Sequence, residues 1–413
     1  MFDATPARMK DFKNWILASS AAMRFVMIPA FMAMIYFVLQ KLHHREAVVE
    51  WEIYRQAAEA LFAHKQVYGI SFNGTSGYYT YSPVVAFFFG LIHFIPATIS
   101  SGVYYFSLLF IYIFFSLFLV FTLEKKLNLD GRYRGWVLTL ITAFLLDHFE
   151  RELHIGNLNV LTLAFTFVFF LLLEKKEFRK AGVLFGILLL VKPALLFLFP
   201  LLMWHRHWKV ILLSILVVIG GFGLPILILG WSCNLDLWAQ WIDYMVGPTE
   251  LIAQSANTVY GLYYHFVLAP FDLISNRITI FMWVSITLVS LLFWWVIQSR
   301  RPDYAESGWL RFFTVIAFIP HLIPTDTDHF MWTWPLLAYS FSVLLYEPIR
   351  KKGIYAALFA LAFIPYCFNS PDIIGNKLAI TLDTGGYLGL ANLLLIFLAL
   401  SLAKAKRSLN VFS

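Results

Sequence analysis

Glu50 stands in a polar, acidic stretch, residues 48–85, set between hydrophobic runs long enough to enter a bilayer. Glu52 and Glu59 follow it, with aromatics at Trp51, Tyr54 and Tyr68. A carboxylate at the root of such a loop can take a proton from a substrate hydroxyl. Its ordinary alternative is an acid in the first turn of a surface helix, where it complements the helix dipole. Lys192, in GILLLVKPALLFLFP, places a cation inside an apolar run. A charge at the bilayer centre costs about 2.5–3.5 kcal/mol or more, and Pro193 breaks the helix there, so we read Lys192 at a helix end beside a cavity. Snorkelling to an interface is the competing account. The segment HLIPTDTDHFMW carries His321, Asp326, Asp328 and His329, a spacing that suits either a divalent ion or a plain acid at a helix start. The segment DHFERELHIGNLN adds Glu150, Arg151, Glu152, His154, Asn157 and Asn159, with Gly156 open to close helix packing. Cys233 and Cys367 lie too far apart to suggest a metal motif, and a disulfide between them is unforced.

The elements that must position these residues are membrane helices. Hydrophobic residues make up 60% of the 413 positions and only 13% are charged, a balance that excludes an ordinary soluble domain. Apolar runs predict spans near 22–40, 102–123, 135–149, 157–173, 181–191, 194–204, 210–230, 278–298, 308–323, 329–346, 354–368 and 385–403. Several are short for a comfortable crossing, and short, Pro- or Gly-broken segments line cavities more readily than they face lipid. The expectation is an all-α polytopic membrane protein of about 11–13 transmembrane helices, one integral domain over residues 1–413. The first apolar run continues to about Gln40 and is read as an uncleaved helix.

Most of the 31 Lys and Arg residues fall in alternate short loops, which predicts cytoplasmic termini and an outward Glu50 loop. The net charge of +7 is then mostly topogenic, and nothing else in the chain supports nucleic-acid binding. The largest polar stretches, 41–82 and 231–276, are both outward, the first within an outward loop of about 41–100. Residues 46–65 have helical spacing and predict a helix on the membrane surface, anchored by Trp51 and Tyr54. Residues 81–96, bounded by prolines, predict a second interfacial helix.

Taken together, the motifs resemble those of the GT-C membrane glycosyltransferases, and within them glycosyltransferase family 87, the polyprenol-phosphate-mannose-dependent α-mannosyltransferase-like proteins. The resemblance runs in order over most of the chain. An acid-aromatic-x-aliphatic-Tyr motif stands as Glu50-Trp51-Glu52-Ile53-Tyr54, and an aromatic-Tyr-Pro-Pro motif as Tyr79-Thr80-Tyr81-Ser82-Pro83. A Gly-Gln/Asn-x-Asn motif stands as Gly156-Asn157-Leu158-Asn159, followed by a Gly-rich helix ending at Lys192-Pro193 and a degraded Asn-Gln-Ser element at Gln254-Ser255. A Pro-x-x-Trp-Asp-His-His motif is reduced to Pro324-Thr325-Asp326-Thr327-Asp328-His329-Phe330. The first-loop acid, usually Asp, is here Glu50, so the base is Glu50 or Glu52.

The resemblance implies inverting transfer of mannose or a related sugar from a polyprenyl-phosphate donor to a glycan or glycolipid hydroxyl at the outer face of the plasma (inner) membrane. One carboxylate takes the acceptor proton, and the leaving phosphate departs as a stable anion, so cations replace a general acid. Lys192, His329 and Arg151 fit the phosphate site. Tyr54 and Tyr81 fit a sugar face or the first isoprenes, and Asn157, Asn159, Gln254, Asp328 and His321 fit the remaining substrate contacts. No cofactor or metal is demanded, although Asp326 and Asp328 leave a divalent ion open. The rival class is a transporter or flippase, which broken helices and an intramembrane Lys would also suit.

Overall fold

A computed structural model of the chain describes residues 6–42, 48–72, 77–91, 95–246, 255–263, 265–266, 287–288, 305–323, 327–367 and 374–410. The described residues are overwhelmingly helical, and their β-structure amounts to one bridge, Ser71 to Tyr78. Four described helices are long and apolar enough to cross a membrane: Ser20–Gln40, Ile99–Leu127, Trp208–Leu229 and Tyr387–Lys406. Arg134–Ile155 and Asn159–Glu174 make a fifth if taken as one span, bent by 114°. Shorter apolar helices cover Pro193–Trp204 and Lys352–Cys367. The chain is therefore an all-α, multi-pass membrane protein, and helix is the form that satisfies backbone groups without water. The expected span at 278–298 lies outside the described residues apart from two positions.

Contacts divide the chain into two compact units. The first comprises residues 1–36, 112–150 and 250–413. It holds α1 (Pro6–Leu17), most of α2 (Ser20–Leu42), the later part of α5 (Ala97–Leu127) and most of α6 (Arg134–Ile155). Its core is aromatic: Trp334 packs on Tyr112 and Phe115, with ring centroids 4.8 and 4.9 Å away. Toward the basic end of α5, Arg134 makes a paired hydrogen bond to Glu124, with nitrogens 2.8 and 3.0 Å from its oxygens. Trp15 donates to the same carboxylate at 2.7 Å, so the buried acid has both a counter-charge and a further donor.

The second unit, residues 37–111 and 151–249, carries the Glu50 loop. Its elements include α3 (Val49–Phe62), α4 (Pro83–Gly90), α7 (Asn159–Glu174), α8 (Phe178–Val191), α9 (Phe199–Trp204), α10 (Trp208–Gly223), α11 (Ile226–Leu229) and α12 (Trp231–Val246). The helix pair α8/α10 is held close by Gly182 and Gly186. A Cβ on either would meet the backbone of α10, at 3.0 Å from the Val210 oxygen or 2.8 Å from that of Ser214. This is small-residue packing of the membrane kind, spaced four residues apart.

Helices form within both 46–65 and 81–96, and both are shorter than the sequence suggested: α3 begins at Val49 and α4 spans eight residues, with Pro83 in its first turn. One correction concerns the anchors. Trp51 and Tyr54 are buried rather than lying at a membrane surface. Trp51 stacks on Tyr104 at 4.6 Å and donates to Ser100 Oγ, and Tyr54 stacks on Phe89 of α4 at 4.7 Å. Ring stacking inside the unit takes the apolar face that lipid headgroups would otherwise have met. Both cysteines are free thiols, Cys233 exposed and Cys367 buried.

Candidate functional site

Glu50 sits in the first turn of α3, and the backbone before it is forced. Val48, a β-branched residue, holds φ at +63°, a left-handed conformation that such side chains rarely adopt. Its N–H donates to the carbonyl of His154 at 2.9 Å, which ties the start of α3 to the end of α6. Gly156, at φ +87°, turns the chain from α6 into α7 and lies directly against Val48: a Cβ there would come within 3.0 Å of the valine Cβ. Tyr104 donates to the Gly156 carbonyl at 2.8 Å. The turn before α7 and the start of α3 are thus one packed unit, and its carbonyls, orphaned by the end of α6, find partners on the Glu50 side.

From Glu50 a short polar chain runs inward. The Tyr54 hydroxyl, one turn later, donates to the Glu50 carboxylate. It lies 3.4 Å from the Tyr81 hydroxyl, which donates to Asn157 Oδ1 at 3.2 Å and accepts the Leu158 N–H at 3.3 Å. Since each hydroxyl has one proton, Tyr54 spends its own on Glu50 and Tyr81 on Asn157. On the other side, Lys192 Nζ stands 4.9 Å from the centre of the Tyr81 ring, a cation–π contact. Lys192 is where α8 ends, with φ −135° and ψ 89°, and Pro193 opens a 3₁₀ turn, Pro193–Leu198. The break predicted at Lys-Pro is therefore present, and the lysine is half-buried beside Tyr81.

The segment around Tyr81 is pinned by its neighbours. Tyr68 donates to the Tyr81 carbonyl at 2.8 Å, and Trp241 of α12 donates to the Thr80 carbonyl at 3.1 Å. Burial pushes the Tyr54 and Tyr81 hydroxyls well above their ordinary range, and the Glu50 charge adds to the effect. Both stay protonated at neutral pH and serve as donors.

Glu52, the other candidate base, has a different environment. It is bonded to Arg55 at 2.5 Å and to Gln56 at 2.9 Å, and the Arg55 hydrogen bonds hold its carboxyl below the usual range against a smaller effect of burial. Arg55 also pairs with Glu59. This is an ion-paired outer face of α3, and its carboxylate is committed to the guanidinium.

Asn157 is brought to Tyr81, whereas Asn159 is turned elsewhere. Its amide donates to Glu152 Oε2 at 3.1 Å, and Glu152 Oε1 accepts the Val160 N–H at 2.9 Å. The fully buried Glu152 thus satisfies the first turn of α7, where a carboxylate complements the helix dipole. Arg151, adjacent in sequence, is exposed.

The remaining predicted residues belong to the first unit. Asp328 is enclosed and His329 half-buried in a 3₁₀ stretch, Thr327–Thr333, with the His329 ring 5.8 Å from that of Trp332. His321, expected at the substrate, is completely enclosed, and both its ring nitrogens are engaged. Nδ1 lies 3.1 Å from the Asn257 carbonyl and Nε2 lies 3.0 Å from the Asn392 amide. The first must donate and the second accept, which fixes a neutral ring. Asn392 completes a packing network with Ala317 and Thr333, so His321 is a support of the helix core. Gln254 and Asp326 lie outside the described residues. Among the described residues, no group of three or more His, Cys, Asp or Glu side chains is placed to hold a metal ion.

Sequence reasoning missed Trp238 of α12. It is buried against Val84 and Leu190, the latter two residues before Lys192, and its indole N–H has no partner among the described residues. The Ser82 hydroxyl, next to Tyr81, is buried in the same condition. Such donors carry a desolvation cost of about 1–3 kcal/mol each, a cost that a bound oxygen-rich group would remove. The only sequence signal was a Trp-rich polar segment.

A model of glycosyltransferase family 87 matches residues 79–262, just under half of the chain. The match takes in Tyr81, Asn157, Lys192 and Trp238, and stops short of Glu50 and His329 at either end. No curated protein and no solved structure is detectably similar to the chain. The match and the membrane helices together support a multi-pass membrane glycosyltransferase with a sugar donor and an acceptor.

Proposed function

We propose that this chain is a GT-C enzyme of glycosyltransferase family 87, moving a sugar from a polyprenyl-phosphate donor to an acceptor hydroxyl with inversion at the anomeric carbon. The observation that carries the reading is the line Glu50–Tyr54–Tyr81–Lys192. It sets a carboxylate and a cation on either side of two protonated tyrosines, inside one compact unit that the family match largely covers. Glu50 takes the proton of the acceptor hydroxyl as its oxygen attacks the anomeric carbon. The bond from that carbon to the phosphate oxygen breaks, the electron pair leaves with the polyprenyl phosphate, and Lys192 offsets the growing charge. Tyr54 orients the carboxylate, and Tyr81 carries the sugar between the two ends.

Glu52 is set aside as base because Arg55 already occupies it. Within the same unit, Arg151 is a further candidate for the donor phosphate and Asn157 a candidate for sugar hydroxyls. The alternation of basic loops supports cytoplasmic termini and a site on the outer side of the plasma (inner) membrane, where lipid-linked donors present their sugar. Mannose or a related hexose or pentose is the sugar we favour, on the family resemblance, with a glycan or glycolipid as acceptor. Purified protein in detergent, given synthetic polyprenyl-phosphate sugars and a labelled acceptor, should form a glycosidic bond. Substrate flux in liposomes without any bond formation would instead favour a transporter.

A further inference from the structure

The second unit holds a groove that the transfer site does not use. It lies between the end of α3 with the turn that follows on one side and the end of α11 with one stripe of α12 on the other, and has a volume of about 480 Å³. Its floor is apolar, formed by Leu61, Leu229 and Leu237, all buried. Its rim is polar on both sides: His64 and Gln66 from the turn after α3, and Asp236 and Gln240, one helical turn apart, from α12. Lys65 on one side offsets Asp236 on the other, so the groove has no strong sign of charge.

We infer that this groove is a carbohydrate subsite that binds the distal sugars of an extended acceptor glycan; the inference rests on the glycosyltransfer reading above. Size agrees, since small-ligand sites run from about 300 to 1,000 Å³. Chemistry agrees as well. A sugar ring presents C–H faces to an apolar floor and hydroxyls, each both donor and acceptor, to its edges. The side chains of His64, Asp236 and Gln240 supply donors and acceptors and have no hydrogen-bond partner among the described residues. A phosphate would require a cationic rim and a lipid tail an apolar one, and the groove offers neither. Distance agrees too. Leu61 follows Glu50 by eleven residues on α3, roughly 16 Å along the axis. A single sugar cannot occupy both places, whereas a chain of several can reach from one to the other.

The native Cys233 thiol, exposed on the groove, is a ready reporter, since Cys367 is buried. Octyl glycosides carrying one to five hexoses are the probes. With wild-type protein the catalytic efficiency kcat/KM should rise with acceptor length, and the five-hexose glycoside should slow labelling of Cys233 by a bulky maleimide, while the one-hexose glycoside should not. In an Asp236→Asn, Gln240→Ala double variant the preference for the long over the short acceptor should fall roughly five- to tenfold. A variant that is only misfolded loses rate with both acceptors and keeps the preference. Wild-type protein without length preference, an unaltered preference in a double variant that keeps the wild-type rate on the short acceptor, or protection of Cys233 by a polyprenyl phosphate in place of the glycan each overturns the inference. Failure of the transfer reading itself looks different, as no acceptor of any length is glycosylated.

Discussion

The Tyr54 hydroxyl donates to the Glu50 carboxylate four residues earlier on the same helix, one turn away. Burial and the Glu50 charge hold that hydroxyl protonated, so the donation persists throughout the pH range in which an enzyme works. The bond has two effects on the carboxylate: it fixes its direction, and it favours its ionised form.

Tyr54→Phe separates them. The phenyl ring keeps its stack on Phe89, so the fold should survive, while kcat falls about tenfold, the worth of one hydrogen bond to a charged group. The acid limb of the pH–rate profile should move to higher pH, because the ionised base has lost a donor. An unchanged limb with unchanged kcat would separate Tyr54 from the chemistry.

Gly156→Ala tests the coupling between the α6–α7 turn and the start of α3. Its backbone is at φ +87°, and the new methyl would press on Val48 at 3.0 Å and on the Tyr104 ring at 3.3 Å. Strain of this kind costs about 1–3 kcal/mol. Thermal stability and turnover should drop together, with Glu50 displaced through Val48. A variant as stable and active as wild type would mean that the start of α3 tolerates movement.

Lys192→Met removes the charge and keeps most of the stem. If the lysine meets the donor phosphate, turnover should fall roughly 10²-fold, as for loss of one charge-stabilising group, and the donor KM should rise. Lys192→Arg should recover part of the loss, since arginine keeps the charge and the cation–π contact but not the compact ammonium. A lysine that merely reaches toward headgroups would leave both constants unmoved.

How much of this was legible in the sequence follows from the range of each interaction. Glu50 and Lys192 draw attention in the sequence because a charge beside apolar runs stands out in one dimension, and the helix break expected at the Lys-Pro step is present. The period of α3 was also legible, but not which way its rings point: Trp51 and Tyr54 suit a headgroup layer and a protein interior equally well. The capping of α7 by Glu152 depends on a sharp turn, and that of Val48 by His154 on residues about a hundred positions apart. Trp238 finds Val84 across more than 150 residues of chain. No local pattern announces such pairs. His321 shows the converse: its type and place at a helix end read as a site, whereas the fold spends both its nitrogens on core packing.

Four buried tyrosines make the second unit sensitive to alkali. Burial raises Tyr54, Tyr68, Tyr79 and Tyr81 well above their ordinary range. The unfolded chain releases these protons near pH 10 while the folded one retains them, so the tyrosines' contribution to folding stability is constant below about pH 10 and is lost as pH rises past it. Thermal midpoints in detergent from pH 8 to 11 should follow that course, with a late rise in tyrosinate absorbance on unfolding. All tyrosines titrating in one step near pH 10, with no loss of stability, would contradict it.

The central claim is tested most directly by comparing Glu50→Gln with Glu52→Gln in the transfer assay, using a synthetic polyprenyl-phosphate sugar and a matched folding control. Glu50→Gln should lower turnover by roughly 10²–10⁴-fold, the usual worth of a general base. Glu52→Gln should stay within about threefold of wild type, because it gives up only a partly exposed ion pair with Arg55. Near-normal turnover in Glu50→Gln, with the loss appearing in Glu52→Gln, would contradict the assignment of the base.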